Sequence, residues 1–435
     1  MDIATHTLGC KLNFAETSHL QRQFEKAGFN IVSYREKADI YVINTCTVTS
    51  VAEKKCRNAI RQAVTQNPRA VVAVIGCFAQ NDAEQIARIP GVTLILGNDK
   101  KHRLLEILKE RHLLDGADAG SLPVIDTEEP RSFQLSYSGG DRTRTFFKIQ
   151  DGCDYFCTYC AIPFARGRSR SATIAETVAM AREIAATGTR EVVLTGVNTG
   201  TFGLHTGENF LDLLRELDKI EGILRYRISS IEPNLISPEV VEFVAASRAF
   251  LPHFHIPLQA GSDKVLKMMH RHYDTALYAE RLQLIKRLMP HACIAADVIT
   301  GFNGEDDDTF AQSKAFIDSL PISYLHVFPY SDRPNTLALK MPEKVAVPVR
   351  KARCQELLVL SAQKRHAFIM SHEGTTRPVL WEHTPHKGPS GDDMMQGWTD
   401  NYIRLQRPFD PALIGNVTSY PVSLSTIVEN FACED

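Results

Sequence analysis

Nowhere in the 435 residues does an apolar run approach the length of about 18 that a membrane span needs, so no membrane segment is expected. The opening MDIATHTLGCKLN puts polar side chains where a secretory leader has its apolar centre, and the expected compartment is the cytoplasm. An excess of one charge sign is also missing: 49 Lys and Arg face 51 Asp and Glu, for a formal net charge of -2 and a pI near 6.7. That balance excludes a global attraction to nucleic acid, so any RNA contact rests on local basic surface. Internal repeats and low-complexity tracts are absent too. What is present is a globular composition, 44% hydrophobic and 23% charged, on a chain too long for one ordinary core. Ten cysteines in a compartment that keeps thiols reduced are better candidates for metal ligation or catalysis than for disulfides.

Residues 1–114 alternate short apolar runs, at 3–7, 40–44, 71–75 and 93–96, with amphipathic stretches, which predicts a parallel α/β sandwich. Residues 115–142 are rich in Gly, Ser, Asp, Glu and Pro, lack either periodicity, and read as a linker. In 143–372 the alternation resumes, with strand-like runs at 145–150, 191–195, 224–230, 254–258, 294–300 and 324–329. Six such βα units predict a partial (β/α)6 barrel with its chemistry at the C-terminal strand ends. A basic helical stretch, 349–372, leads into 373–435, where short runs punctuated by Gly, Pro and Asp-Asn predict a small antiparallel β-barrel.

The sharpest signal is Cys153-Asp-Tyr-Phe-Cys157-Thr-Tyr-Cys160, directly after the first barrel strand. Three thiolates in one loop hold three irons of a four-iron, four-sulfur cluster and leave the fourth iron open for reaction. A zinc site is the alternative, but structural zinc takes four ligands in paired spacings, and no second pair lies nearby. A second, dispersed triad consists of Cys10, Cys46 and Cys77, each following a strand-like run. In an open parallel sheet such strand ends line one crevice, so these thiols are candidates for a second cluster; three unrelated buried cysteines are the alternative. Cys56, on the next helix, is a candidate spare or alternative ligand. Cys293 and Cys354 read as small hydrophobes, and Cys433 in the tail carries no assigned role.

With both triads located, the chain resembles the radical-SAM methylthiotransferases over nearly its full length. The CxxxCxxC loop is the radical-SAM signature, while T-x-G-C-K-L-N at 7–13, N-T-C-x-V at 44–48 and G-C-x-A-Q at 76–80 resemble the N-terminal domain of that family. The last segment, with Gly397-Trp-Thr-Asp-Asn-Tyr-Ile403, resembles the RNA-binding TRAM module. Lys11 and Leu12 make the first motif similar to the branch acting on threonylcarbamoyladenosine in tRNA, and the branch acting on isopentenyladenosine is its nearest rival.

The resemblance implies two 4Fe-4S clusters, S-adenosylmethionine, a tRNA partner, an external electron donor and a sulfur donor. It implies that the Cys153 cluster binds and cleaves S-adenosylmethionine to a deoxyadenosyl radical that attacks C2 of the adenine. The iron held by Cys10, Cys46 and Cys77 would carry the sulfur to be transferred, methylated by a second S-adenosylmethionine. Candidates around S-adenosylmethionine are Tyr159 beside the last ligand, Thr195 and Gly196, Ser230 and Glu232, His255, Gln259 and Ser262, and Asp297 with Gly301. For Tyr159 a plain loop aromatic is the alternative to packing the adenine, and for Glu232 a solvated carboxylate is the alternative to binding ribose. Two departures from the family pattern are Ala260 in place of a serine and Asn303 in place of a turn proline, the latter with an expected loss of rigidity. Arg166, Arg168, Arg170 and Arg333 are candidates to pair with substrate phosphate or the threonylcarbamoyl carboxylate, with local ion pairing as the alternative. Methylthiolation of a ribosomal-protein aspartate, and an RNA-binding iron–sulfur protein without turnover, are the remaining rival functions.

Overall fold

The computed structural model describes residues 1–115, 122–139, 143–388 and 391–428; Cys433 and parts of the expected linker lie outside the described residues. Near the N-terminus, Asp2–Thr7, Ile40–Thr45 and Val71–Gly76 form the centre of a six-stranded parallel sheet, flanked by Asn30–Val32 on one edge and by Leu94–Leu96 and Val124–Asp126 on the other. The runs IYVINT and VVAVIG are buried along their whole length, as expected of strands covered on both faces. One face packs Ile43, Val74 and Ile95 against the helix Ser50–Gln66, and the other packs Ile3, Val42 and Ile75 against Leu20 and Phe24 of the helix Lys11–Lys26.

Two strands of this sheet differ from expectation. Asn30–Val32 is a three-residue edge strand, too short to show a periodicity. Val124–Asp126 lies inside the segment read as a linker, yet it pairs with Leu94–Leu96 in parallel, Leu94 opposite Val124. Edge pairing satisfies backbone groups and needs no long apolar run, so a half-polar VID suffices. Ser136–Tyr137, also in that segment, pairs antiparallel with the first barrel strand.

The barrel strands are Arg144–Lys148, Glu191–Thr195, Arg225–Ile228, His253–His255, Cys293–Thr300 and Tyr324–Pro329, all parallel where they pair. A parallel bridge between Tyr226 and Phe250 joins the first three to the last three. The first strand pairs with Ser136–Tyr137 rather than with the last, so the barrel stays open along one side. Helix Lys11–Lys26 lies at that side, with Phe14 and Ala15 packed against Phe146 and Val193.

After the helix Val347–Met370 comes a five-stranded antiparallel sheet. Leu405 bridges to Ile427, just beyond the last strand, so the sheet curls toward its own edge. It sits on the N-terminal ends of the barrel strands: Arg225 donates to Trp398 O at 3.1 Å, and Arg227 to Thr399 O at 2.7 Å and Asp400 O at 2.9 Å. Among the described residues no helix is long and apolar enough to cross a membrane.

Candidate active site

The strand order of the N-terminal sheet reverses between Asp2–Thr7 and Ile40–Thr45, and a crevice opens at the carboxyl ends beside such a switch. Thr7 pairs with Asn44 and Thr45 with Gly76, so the chain leaves three neighbouring strands almost level with one another. The next residues are Cys46 and Cys77, with Cys10 after the turn Leu8-Gly9. Gly9 has φ +96°, and a Cβ there would lie 2.7 Å from Cys46 Cβ and 2.9 Å from its Sγ, so only glycine lets the Cys10 turn approach that closely. Asn13 ties the turn down, donating to Leu8 O at 2.7 Å and Thr45 O at 3.1 Å.

Burial raises the Cys46 thiol, and the neighbouring Cys77 and Cys10 raise it further. Cys10 keeps access to solvent within the crevice, yet the surrounding protein raises its thiol as well. Thiolates crowded here, with Cys10 and Cys46 both raised, call for a cationic partner between them. Cys56 is turned away: its Sγ lies 3.4 Å from the backbone nitrogen of Cys46 and 3.5 Å from its carbonyl, as a buried satellite of the turn.

The triad Cys153, Cys157 and Cys160 occupies the loop after Gln150–Asp151. Gly152, at φ +73°, leaves no room for a Cβ beside Arg168 O, and Cys153 N donates to Gly167 O at 3.0 Å. Thr158 fixes the far end, its backbone and hydroxyl donating to Met269 O and Met268 O. Burial raises all three thiols, Cys153 to about 12. Beside them stands a residue that the sequence reading missed. Arg271 donates to Cys157 Sγ at 2.9 Å and to the Tyr159 hydroxyl at 3.4 Å, and pairs with Glu232. Burial alone would lower its pKa, but Tyr159, Glu232, Tyr273 and Cys157 hold the guanidinium well above its ordinary value. No motif marks Arg271; its only signal was a basic residue in a stretch rich in Met and His.

Between the triads lies a buried ion network. Glu16 accepts from Lys101 at 2.5 Å and Lys148 at 2.7 Å, and Arg166 reaches Asp151 at 2.8 Å, Asn13 at 2.6 Å and Glu16 at 3.3 Å. Burial pushes the Glu16 carboxyl up, but Arg166, Lys101 and Lys148 outweigh it and hold it well below its ordinary value. Asn98 adds a neutral link, donating to Cys77 Sγ at 3.6 Å and to Ala165 O at 2.7 Å.

Residues 2–97 match the family described as "Uncharacterized protein family UPF0004", and residues 147–317 match the radical SAM superfamily. The threonylcarbamoyladenosine tRNA methylthiotransferase MtaB of Bacillus subtilis is 38% identical over 97% of this chain and 93% of its own length. The tRNA-2-methylthio-N(6)-dimethylallyladenosine synthase of Desulfitobacterium hafniense is 31% identical over 95% of this chain and 93% of its own. This chain belongs to the radical-SAM methylthiotransferases. The solved radical S-adenosylmethionine methyltransferase TsrM of Kitasatospora setae shares the fold at a TM-score of 0.54 and 14% identity, covering 75% of this chain and 72% of that one.

Membership in the radical-SAM methylthiotransferases brings a four-iron, four-sulfur cluster and S-adenosylmethionine. The donor set at Cys153, Cys157 and Cys160 fits such a cluster, with three free thiols in one loop and a cation donating to one sulfur. Near it, Thr195 ends its strand with its hydroxyl bonded back to Val193 O, and a Cβ on Gly196 would lie 2.8 Å from Gln150 Oε1. Ser230 O accepts from the Thr199 backbone and hydroxyl. Gln259 has φ +66° and bonds through its backbone to Asp297 O and Ile299 N. Glu232 differs from a free ribose ligand in that its carboxylate already pairs with Arg271. Ser262 is buried at the start of the helix Asp263–Met268.

Three of the four expected substrate arginines in this methylthiotransferase are committed elsewhere. Arg166 is enclosed in the network above; Arg333, also buried, pairs with Glu53 at 2.5 Å and Thr47 O; Arg170 donates to Ser132 O, Arg166 O and Arg168 O. Arg168 alone is exposed, 3.6 Å from Asp154 and stacked over Phe156. The loss of rigidity expected at Asn303 is offset, because its side chain donates to Ala338 O at 2.6 Å.

Proposed function

We propose that this enzyme transfers a methylthio group to C2 of threonylcarbamoyladenosine beside the anticodon of tRNA. It would use two S-adenosylmethionine molecules and two four-iron, four-sulfur clusters, one on Cys153, Cys157 and Cys160 and the other on Cys10, Cys46 and Cys77. The observation that carries this reading is the second triad, because cleaving S-adenosylmethionine needs one open cluster and delivering sulfur needs another. When bound, these groups supply the deoxyadenosyl radical that removes an unactivated C–H hydrogen, and the sulfur that replaces it.

The chain's own residues bind and orient. Tyr159, Thr195, Gly196, Ser230 and Gln259 form the wall for S-adenosylmethionine, and Arg271, held by Glu232, offsets negative charge at Cys157. Asn98, Arg166 and Glu16 fix the two halves against one another, so that each triad keeps its place while substrate enters. In this reading 1–114 carries the auxiliary cluster, 143–372 is the radical-SAM domain and 373–435 is a TRAM-like RNA-binding domain. A cytoplasmic location, an external electron donor and a sulfur donor complete it. Support for the threonylcarbamoyl substrate comes from the 38% identity to the Bacillus subtilis enzyme, against 31% to the dimethylallyladenosine synthase of Desulfitobacterium hafniense. The test is to give purified, reconstituted enzyme tRNA bearing either modification and to analyse the nucleosides by mass spectrometry. Methylthio product on the threonylcarbamoyl tRNA is expected; product only on the isopentenyl tRNA contradicts the substrate assignment.

A further inference from the structure

A buried carboxylate needs a cation at the place where it is buried, and the arginines nearest the radical loop are largely committed to other partners. The barrel interior offers other groups, two of which, His255 and Asp297, the sequence placed around S-adenosylmethionine. His255, Asp297 and His326 stand on three successive strands, with one nitrogen or oxygen of each within 4.8 Å of the others. His255 Nε2 lies 2.8 Å from Asp297 Oδ1, and the two imidazole rings are 5.3 Å apart. All three side chains keep partial access to solvent.

Lys11 is the first residue of the helix at the open side of the barrel, whose Phe14 and Ala15 pack on Phe146 and Val193. Lys11 is exposed, and among the described residues it makes no hydrogen bond or ion pair. Its charge nevertheless acts on Asp297 and on His253, both on barrel strands. It also directly follows Cys10, so whatever Lys11 holds lies next to the auxiliary triad.

We propose that Lys11, His255, Asp297 and His326 form the pocket for the threonylcarbamoyl group, with Lys11 pairing with its carboxylate. This deepens the proposed function and rests on it. The group to be held has a carboxylate, a hydroxyl and urea N–H donors. A pocket with a cation, an anion and two imidazoles satisfies both its acceptors and its donors. Burial pushes the Asp297 carboxyl up, but His255, His326 and Lys11 outweigh it, so Asp297 remains an acceptor for a urea N–H or the hydroxyl. A wholly apolar isopentenyl group would desolvate Lys11 and Asp297 and give them no partner, which rejects it by cost rather than by shape. Two histidines and a carboxylate are also a set that holds divalent metal, and cobalt binding distinguishes the two uses.

The experiment titrates three anticodon stem–loops, bearing threonylcarbamoyladenosine, isopentenyladenosine or unmodified adenosine, into full-length reconstituted protein by fluorescence anisotropy. Wild type is compared with Lys11→Gln, Lys11→Arg and His326→Phe, each checked for wild-type iron content. Lys11→Gln is expected to weaken the threonylcarbamoyl RNA by about tenfold to a hundredfold while leaving the unmodified RNA unchanged, and Lys11→Arg to restore most of the loss. His326→Phe is expected to narrow the preference over the isopentenyl RNA. Equal loss on all three RNAs, no loss on any, or stoichiometric cobalt binding abolished by His326→Phe overturns the pocket. A wild-type enzyme that makes product only on isopentenyl tRNA overturns the substrate reading, and the pocket with it; a wild type active on threonylcarbamoyl tRNA with an unaffected Lys11→Gln overturns the pocket alone.

Discussion

Cys153, Cys157 and Cys160 hang from one loop shaped by its own backbone bonds, whereas Cys10, Cys46 and Cys77 leave three parallel strands and come together only through the register of a sheet. The first arrangement is mainly local: Gly152 and Gly167 shape it within a short stretch of chain, and Thr158 anchors it to Met268 O and Met269 O. The second depends on the whole N-terminal core and on its seating against the barrel through Glu16 and Arg166. A chemical unit built on a loop survives distant changes, while one built on strand ends inherits the stability of the fold beneath it. Perturbations of the core are therefore expected to reach the auxiliary triad first.

The largest effect is expected from removing the local triad. Changing Cys153, Cys157 and Cys160 together to Ala should abolish deoxyadenosine formation and methylthio product alike and lower iron by roughly half, if one of the two proposed equal clusters is lost. Iron assay and product chromatography check this.

Next comes Glu16→Ala, which leaves Lys101, Lys148 and Arg166 buried without their shared carboxylate. Breaking such a network costs about 3–5 kcal/mol, read as a fall in the denaturation midpoint, and auxiliary iron should be lost before radical-site iron. The sign with pH follows from the depressed Glu16 carboxyl. Its contribution is complete above the unfolded value of about 4.3 and disappears as pH falls through the folded value, so the gap in stability between wild type and Glu16→Gln should narrow in acid.

Arg271→Ala sharpens the comparison from the other side. It removes a donor from Cys157 Sγ and strands Glu232, and S-adenosylmethionine cleavage should slow by about tenfold, the scale of one charge-assisted bond, with auxiliary iron unchanged. Deleting the chain from Gly374 onward should weaken tRNA binding in a salt-dependent way, measured by filter binding at two ionic strengths. It should also lower the melting temperature, because Arg225 and Arg227 lose Trp398 O, Thr399 O and Asp400 O.

What the sequence made legible follows the same division. The runs 191–195 and 324–329 are strands at those bounds, and the CxxxCxxC loop is readable because its cysteines are neighbours. The dispersed triad was readable through the rule that parallel strand ends share a crevice and through three short motifs, and the level exits of Thr45 and Gly76 supply the detail that no motif contains. Arginine roles were not legible. Arg166 meets Glu16 across 150 positions and Arg333 meets Glu53 across 280, and a sequence does not show which distant carboxylate claims a guanidinium. Arg271 and His326 were missed for the same reason, since each acquires its setting from strands and loops far away in the chain. Val124–Asp126 was masked by its polar flanks, because an edge strand is made by its neighbour's free backbone groups.

The division of labour between the triads is tested most directly by one variant, with Cys10, Cys46 and Cys77 all changed to Ala, incubated with S-adenosylmethionine, reductant and substrate tRNA. Deoxyadenosine should still form while no methylthio nucleoside appears. Methylthio product from this variant, or loss of S-adenosylmethionine cleavage in protein that keeps its fold and its radical-site iron, would contradict it.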